Sequence, residues 1–115
     1  MLADESCVAP KPGDKPLTEA QAAQLAPQIT GWKLSATSLE QEFRLSNFRE
    51  AMTFVNRVAD IANAEDHHPD ISISYNRVRL TLSTHKISGL SRNDFIMAAK
   101  IDRVWSGMRG QGDAD

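Results

Sequence analysis

Residues 65–85, EDHHPDISISYNRVRLTLSTH, decide the fold because their apolar and polar side chains alternate. A period of two is typical of β-strands with one buried face. Asn76 and Arg77 interrupt the alternation, and asparagine tolerates the backbone conformations of a tight two-residue turn. The stretch therefore predicts a β-hairpin. Its apolar face consists of Ile71, Ile73, Tyr75, Val78, Leu80 and Leu82.

This turn also predicts the register of the hairpin. With residues 76 and 77 in the turn, His68 faces His85 on the polar side of the sheet, at the end away from the turn. His67 adjoins His68, so all three histidines of the chain fall in one predicted cluster. Pro69 has no amide hydrogen and could end the strand pairing before it reaches His68.

Three segments outside the hairpin predict helices. The first starts at Thr18, three residues before Gln21 as in a capping box, and stops at Pro27. The second covers about residues 47–66, where apolar residues recur at spacings of three and four. The third covers about residues 91–105, with a serine as N-cap and an acid three residues later.

The order of elements predicts the fold class. Residues 31–46 add two strands, which gives the order α-β-β-α-β-β-α. We expect an α+β two-layer sandwich, with a four-stranded antiparallel sheet covered on one face by helices. A single domain should span residues 17–106. Residues 1–16 and 107–115 are rich in polar residues, proline and glycine, and predict flexible N-terminal and C-terminal tails.

The composition narrows the classes of function. The 13 basic and 15 acidic side chains give a net charge of −2, which argues against binding to nucleic acid or to an anionic membrane. Cys7 is the single cysteine, and the N-terminus lacks the features of a secretory signal. No apolar run is long enough to cross a membrane. We therefore expect a soluble cytoplasmic protein.

The histidine cluster has three readings at this point. It could be a polar surface patch, a zinc site or an acid–base site. Zinc accepts three imidazoles, but adjacent histidines seldom point at one ion and the HExxH spacing is absent. Nucleophilic catalysis is disfavoured because Cys7 lies in the predicted tail and no GxSxG motif occurs. Asp94 can be explained as a helix-capping acid alone.

The motifs resemble those of the pterin-4a-carbinolamine dehydratases over about residues 17–105. This family joins a His-His-Pro to an aromatic residue, a Thr-His and an acid at the start of the last helix. The matching residues are His67, His68, Pro69, Tyr75, Thr84, His85 and Asp94. Asn63 stands where the family usually has an acid, four residues before the first histidine.

The resemblance implies a dehydratase that converts 4a-hydroxytetrahydropterin to quinonoid dihydropterin without metal or organic cofactor. It further implies proton transfer by His67 and His85, and orientation of the pterin by His68. Four more residues would serve substrate binding or support the histidines, with Asp94 assigned to His85. These four residues are Asp66, Ser83, Thr84 and Asp94.

The resemblance also implies partners. The substrate would come from an aromatic amino acid hydroxylase, a possible partner in the same pathway, and the protein would be a homodimer or homotetramer. Some members of the family also bind and stabilise the dimer of a transcription factor, and some distant relatives that have lost histidines serve as assembly factors. A non-enzymatic binding role is therefore the alternative hypothesis.

Overall fold

The computed structural model describes residues 1–113 and their side chains as far as residue 108. The helices and strands follow the predicted order. They are α1 (Glu19–Leu25), β1 (Lys33–Leu34), β2 (Leu39–Arg44), α2 (Phe48–Glu65), β3 (Asp70–Ser74), β4 (Arg77–Leu82) and α3 (Arg92–Asp113). Short 3-10 turns lie at Leu2–Asp4, Ala26–Gln28 and His85–Ile87.

The sheet is antiparallel throughout, with the strand order β1-β2-β4-β3. One face packs against the helices, where the rings of Phe43, Phe54 and Trp105 lie with centroids 4.8 to 5.5 Å apart. On the other face Arg79 lies 3.6 Å from carboxylate oxygens of both Glu40 and Glu42. This confirms the α+β sandwich with one face covered by helices.

The predicted hairpin register is wrong by two residues. Ile71 pairs with Leu80 and Ile73 with Val78, so the turn consists of Tyr75 and Asn76. Tyr75 has a left-handed backbone with φ 51°. The side-chain amide of Asn76 donates to the carbonyl of Leu45 at 3.0 Å, and the Leu45 amide donates to the Asn76 carbonyl at 2.8 Å. These bonds to the residue that follows β2 fix the turn one residue earlier than expected.

The register correction preserves the faces but changes the end of the hairpin. A shift of two residues leaves every side chain on the same side of the sheet. However, β4 ends at Leu82 and His85 begins a 3-10 turn, so His85 does not pair with His68. The proximity of the histidines therefore needs another explanation.

The helices start where predicted, and α3 ends later. Thr18 and Gln21 form the predicted capping box of α1, and Asn47 caps α2 by accepting from the Glu50 amide. The expected end of α3 near Trp105 is wrong, because the helix continues to Asp113. Met108 is buried and extends the apolar stripe by one turn. Within residues 1–113 no helix is both long and apolar enough to cross a membrane.

Both terminal segments were expected to be flexible, and the structure gives the N-terminal one defined contacts. Leu2 is buried against the helical layer. Ion pairs join Asp4 to Arg103 at 3.2 Å and Glu5 to Arg92 at 2.6 Å. These pairings depend on residues almost a hundred positions away, which composition alone does not reveal. At the other end, α3 occupies much of the expected tail, and residues 114 and 115 lie outside the described residues.

Candidate acid–base site

A cleft of about 500 Å³ lies beside the end of α2 and the segment that follows β4. Its third side is formed by the N-terminal segment. All three histidines line this cleft, together with Asp66, Ser83 and Thr84. His67 and His68 follow the end of α2, and His85 follows the end of β4. The histidines therefore meet because the connection into β3 and the connection out of β4 lie at the same end of this antiparallel strand pair.

His67 is the most firmly held of the three histidines. Its Nε2 lies 2.7 Å from Oδ1 of Asp94, and the side chains are 11% and 0% exposed. Because a carboxylate can only accept, Nε2 carries the proton and Nδ1 is the ring nitrogen left for other chemistry. The expected pairing of Asp94 with His85 is thus wrong, since its imidazole partner is His67.

Asp94, in the first turn of α3, accepts two further hydrogen bonds from residues that precede the helix. The hydroxyl of Thr84 donates to Oδ2 at 2.8 Å, and the backbone amide of Ser91 donates to the same oxygen at 3.0 Å. Since the Thr84 proton goes to Asp94, the Ser91 hydroxyl donates to Thr84 Oγ1 at 2.8 Å. Asp94 is therefore both the helix-capping acid and the anchor of His67, and the Thr84 hydroxyl is engaged inside the protein.

His68 has a different partner and is exposed. Its Nε2 lies 3.0 Å from Oδ1 of Asn63, in the last turn of α2. The residue that departs from the family pattern thus orients His68 through a neutral amide. Asp66 ends the helix in a left-handed conformation with φ 53°, which turns the chain so that His67 and His68 follow the helix into the cleft.

His85 and Ser83 enter the cleft from the segment that follows β4, whereas the two adjacent histidines enter it from the end of α2. His85 is exposed at the start of the 3-10 turn after β4, and within residues 1–113 its ring forms no hydrogen bond. Ser83 is half-buried at the end of the strand. The site thus combines two oriented imidazoles with one that is unrestrained by the protein.

The remaining wall of the cleft is apolar and carries a neutral thiol. Burial, reinforced by the nearby Glu65 carboxylate, raises the pKa of Cys7 to about 12, so the thiol stays protonated near neutral pH. Val8, Ala9 and Pro10 continue this wall. In the part of the chain that the structure describes, no three side chains of His, Cys, Asp or Glu are arranged to hold a metal ion.

Fold and site together define a small α+β protein with a cleft that three imidazole groups line. The comparison with known families then specifies the class. A family model described as "Pterin 4 alpha carbinolamine dehydratase" matches residues 15–104, and the chain belongs to this family. Most of the ordered domain lies inside the matched region.

Similar proteins support this membership. A relative from Rubrobacter xylanophilus is 45% identical over 104 residues, covering 90% of this chain and 97% of its own length. One from Stenotrophomonas maltophilia is 48% identical over 101 residues, covering 86% of this chain and 87% of its own. Both names carry a provisional assignment as a pterin-4-alpha-carbinolamine dehydratase.

Two solved structures share the fold. A transcriptional coactivator/pterin dehydratase from Brucella melitensis has a TM-score of 0.74 at 30% identity, covering 78% of this chain and 98% of its own. A pterin dehydratase-like protein identified as a RuBisCO assembly factor in the alpha-carboxysome has a TM-score of 0.53 at 18% identity, covering 64% and 84%. The second shows the fold alone.

Several residues of the cleft carry no signal in the sequence. Asn93 binds the backbone of Val8, and Glu65 accepts from the Cys7 amide at 2.7 Å. Nothing in their local sequence marks them, because their roles depend on where the N-terminal segment lies. Asn63 does stand out as a departure from the family pattern, but its partner is His68 and not His67.

Proposed function

We propose that the protein catalyses dehydration of 4a-hydroxytetrahydropterin to quinonoid dihydropterin. The observation that carries the proposal is a cleft lined by three histidines, one of them bound to a buried carboxylate, in a chain of this family. The substrate is the product left when an aromatic amino acid hydroxylase uses its pterin. The reaction would then return the pterin towards its reduced form for another cycle.

The reaction consists of two proton transfers around one bond cleavage. The C4a–O bond breaks with its electron pair on oxygen, an acid protonates that oxygen so that water leaves, and a base removes the N5 proton as C4a=N5 forms. Both groups work best with a proton affinity near the working pH, which is the range of imidazole. Since an acid and a base suffice for this cleavage, we propose that no metal or organic cofactor takes part.

The contacts suggest a division of labour among the three rings. Asp94 stabilises the positive charge that His67 acquires when it accepts a proton, so we assign the N5 proton to His67. His85, which the protein leaves unrestrained, would protonate the leaving hydroxyl. His68, held by Asn63, would orient the pterin, with Asp66 and Ser83 offering polar contacts at the rim.

Single alanine substitutions of the histidines test this assignment. We expect His67→Ala and His85→Ala to lower kcat by roughly a hundredfold, the contribution typical of general acid–base groups, and His68→Ala to act mainly on KM. Stopped-flow absorbance of carbinolamine dehydration measures both constants. Circular dichroism checks the fold, and a chelator in the wild-type assay should leave the rate unchanged. Three variants at the wild-type rate would favour a mere surface patch.

A binding role is the second candidate function. The Brucella melitensis protein, at 30% identity, is described as a transcriptional coactivator as well as a pterin dehydratase. The two roles are separable, because a binding module would not need its histidines. Histidine variants that lose turnover but keep binding to a purified partner would assign the second role to another surface.

We further propose that the protein forms a homodimer or homotetramer through the β3 edge. Ile71 and Ile73 are 39% and 38% exposed on β3, which pairs with β4 alone, and Tyr75 in the adjoining turn is 66% exposed. Exposed apolar edges are usually covered in stable proteins. Sedimentation analysis should give an oligomer for the wild type and a smaller species for Ile73→Lys, with Glu42→Lys on the polar face as the control. A wild-type monomer would refute the proposal.

A further inference from the structure

The N-terminal segment forms part of the cleft although it precedes the region matched by the family model. That region begins at residue 15, whereas Cys7, Val8, Ala9 and Pro10 line the cleft beside the histidines. Apart from the Cys7 thiol, this wall offers only apolar side chains, and the other walls offer imidazole, hydroxyl and carboxylate groups. One side of the cleft is therefore polar and carries the histidines, and the other side, formed by residues 7–10, is apolar.

Side-chain hydrogen bonds fix the backbone of this segment. Asn93 accepts from the Val8 amide at 2.9 Å and donates to the Val8 carbonyl at 2.7 Å. Asn93 is only 7% exposed, so its amide group is shielded from water while it holds Val8. The neighbouring Cys7 amide donates to Glu65 Oε1 at 2.7 Å, and Lys100 lies 3.9 Å from the other Glu65 oxygen. The wall is held from α2 and α3 together.

The Val8 side chain has no packing role that would explain this restraint. Its backbone is fixed on both sides, yet the residue is 68% exposed. A rigid apolar group that borders a cleft can bury its surface against a ligand without a further loss of conformational freedom. The faces of a pterin ring are flat and apolar while its edges carry the polar groups. The wall suits a face of the ring, and the polar side suits its edges.

We propose that residues 7–10 bind the substrate of the cleft by packing against the pterin, and that Asn93 is the positioning residue that holds them there. The inference rests on the proposed function and specifies how that site holds its substrate. The segment takes no part in proton transfer, so its loss acts on binding and leaves the chemical step intact.

Two pairs of matched variants in the full chain test the proposal by steady-state kinetics. Val8→Asp puts a charge into the wall, and Ser6→Asp puts the same charge two residues away, where it does not line the cleft. Asn93→Ala removes the clamp on Val8, and Arg103→Ala removes the ion pair at Asp4. We expect Val8→Asp and Asn93→Ala to raise KM about tenfold with kcat within roughly twofold. Both controls should keep the wild-type KM.

Cys7 provides a readout that does not depend on turnover. It is the single cysteine and lines the cleft, so alkylation by iodoacetamide reports on this wall alone. The reaction is followed at alkaline pH, where more of this weakly acidic thiol is ionised. Saturating 7,8-dihydrobiopterin, a stable pterin, should slow the alkylation at least fivefold or so if the ring covers the wall. In Asn93→Ala without ligand the alkylation should be faster than in the wild type, and in Arg103→Ala it should not.

The outcomes separate this inference from the proposed function. If the pterin protects Cys7 but the chain has no dehydratase activity, the proposed catalysis is overturned and the binding of the pterin by residues 7–10 is retained. If the wild type is active, the Val8→Asp variant keeps the wild-type KM and the pterin does not protect Cys7, the binding of the pterin by residues 7–10 is overturned. The proposed catalysis is then retained. An inactive chain that gives no protection would overturn both.

Discussion

Two aspartates on α3 use similar hydrogen bonds for different purposes. Asp94, in the first turn, accepts from His67, Thr84 and the Ser91 amide. Asp102, two turns later, accepts from the Thr30 amide at 2.9 Å and from the Trp32 indole at 2.8 Å. Each carboxylate joins the helix to a connection that leads into or out of the sheet.

The comparison shows that a carboxylate with several hydrogen-bond donors is not by itself a sign of function. Asp102 has donors that cannot change their protonation near neutral pH, and it holds the loop before β1. One of the donors to Asp94 is the imidazole of His67, which can change its protonation near neutral pH and borders the cleft. The identity of the donors therefore distinguishes the candidate site from a structural contact.

Substitution of Asp94 should have the largest effect. Asp94→Asn keeps the shape but places an amide group against buried donors, so we expect the free energy of unfolding to fall by about 3 kcal/mol. We also expect kcat to fall by roughly a hundredfold because the charge beside His67 is lost. Urea denaturation and stopped-flow kinetics measure the two effects.

The pH–rate profile of Asp94→Asn then distinguishes a positioning role of Asp94 from a purely structural one. Asp94→Asn should change the shape of the profile, since the proton acceptor has lost its charged partner. If the profile of the remaining activity superimposes on that of the wild type, Asp94 acts only as a structural residue.

Asp102→Asn should affect stability alone. The carboxamide can accept only through its oxygen, so one of the two donors loses its partner, at about 1 kcal/mol. Turnover should stay within about twofold because Thr30 and Trp32 lie outside the cleft. A large loss of kcat would show that the two carboxylates are coupled through the helix.

The same variant tests a pH dependence. Burial raises the pKa of Asp102, and the bonds from Thr30 and Trp32 partly offset this. The folded protein thus holds the proton more tightly than the unfolded chain, so this group's contribution to stability falls as pH rises from its ordinary pKa of 3.8 to its folded one. The stability of wild type relative to Asp102→Asn should fall over this interval and level off above it. A rising difference would contradict the pKa shift.

The fold could be predicted from the sequence because its signals are local. Alternation in β3 and β4, the stripe on α2 and the caps at Thr18 and Asn47 each depend on residues within a few positions of one another. The register of the hairpin could not be predicted, because the bonds that fix it join Asn76 in the turn to Leu45, which follows β2 and is distant in sequence. The end of α3 was missed because Gly107 indicates a stop while the buried Met108 favours continuation.

The candidate site was predictable as a set of residues but not as a set of contacts. The motif selects His67 and His85, and both line the cleft. The alternation predicted a pairing of His68 with His85 that is wrong, because β4 ends at Leu82. The partner of Asp94 could not be derived, since His67 and His85 are equally plausible until the 3-10 turn after β4 is known. The contribution of Cys7 and Val8 depends on Asn93 and Glu65, which lie far away in sequence.

The smallest effects should come from removing a single donor at each aspartate. Thr84→Val removes the hydroxyl that Asp94 accepts, and Trp32→Phe removes the indole N–H that Asp102 accepts. Each loss should lower the free energy of unfolding by about 1 kcal/mol. Only Thr84→Val should also lower kcat, by roughly threefold, because Asp94 then holds His67 less firmly. Equal kcat in both variants would mean that His67 does not depend on how Asp94 is held, and that the two carboxylates are equivalent structural contacts.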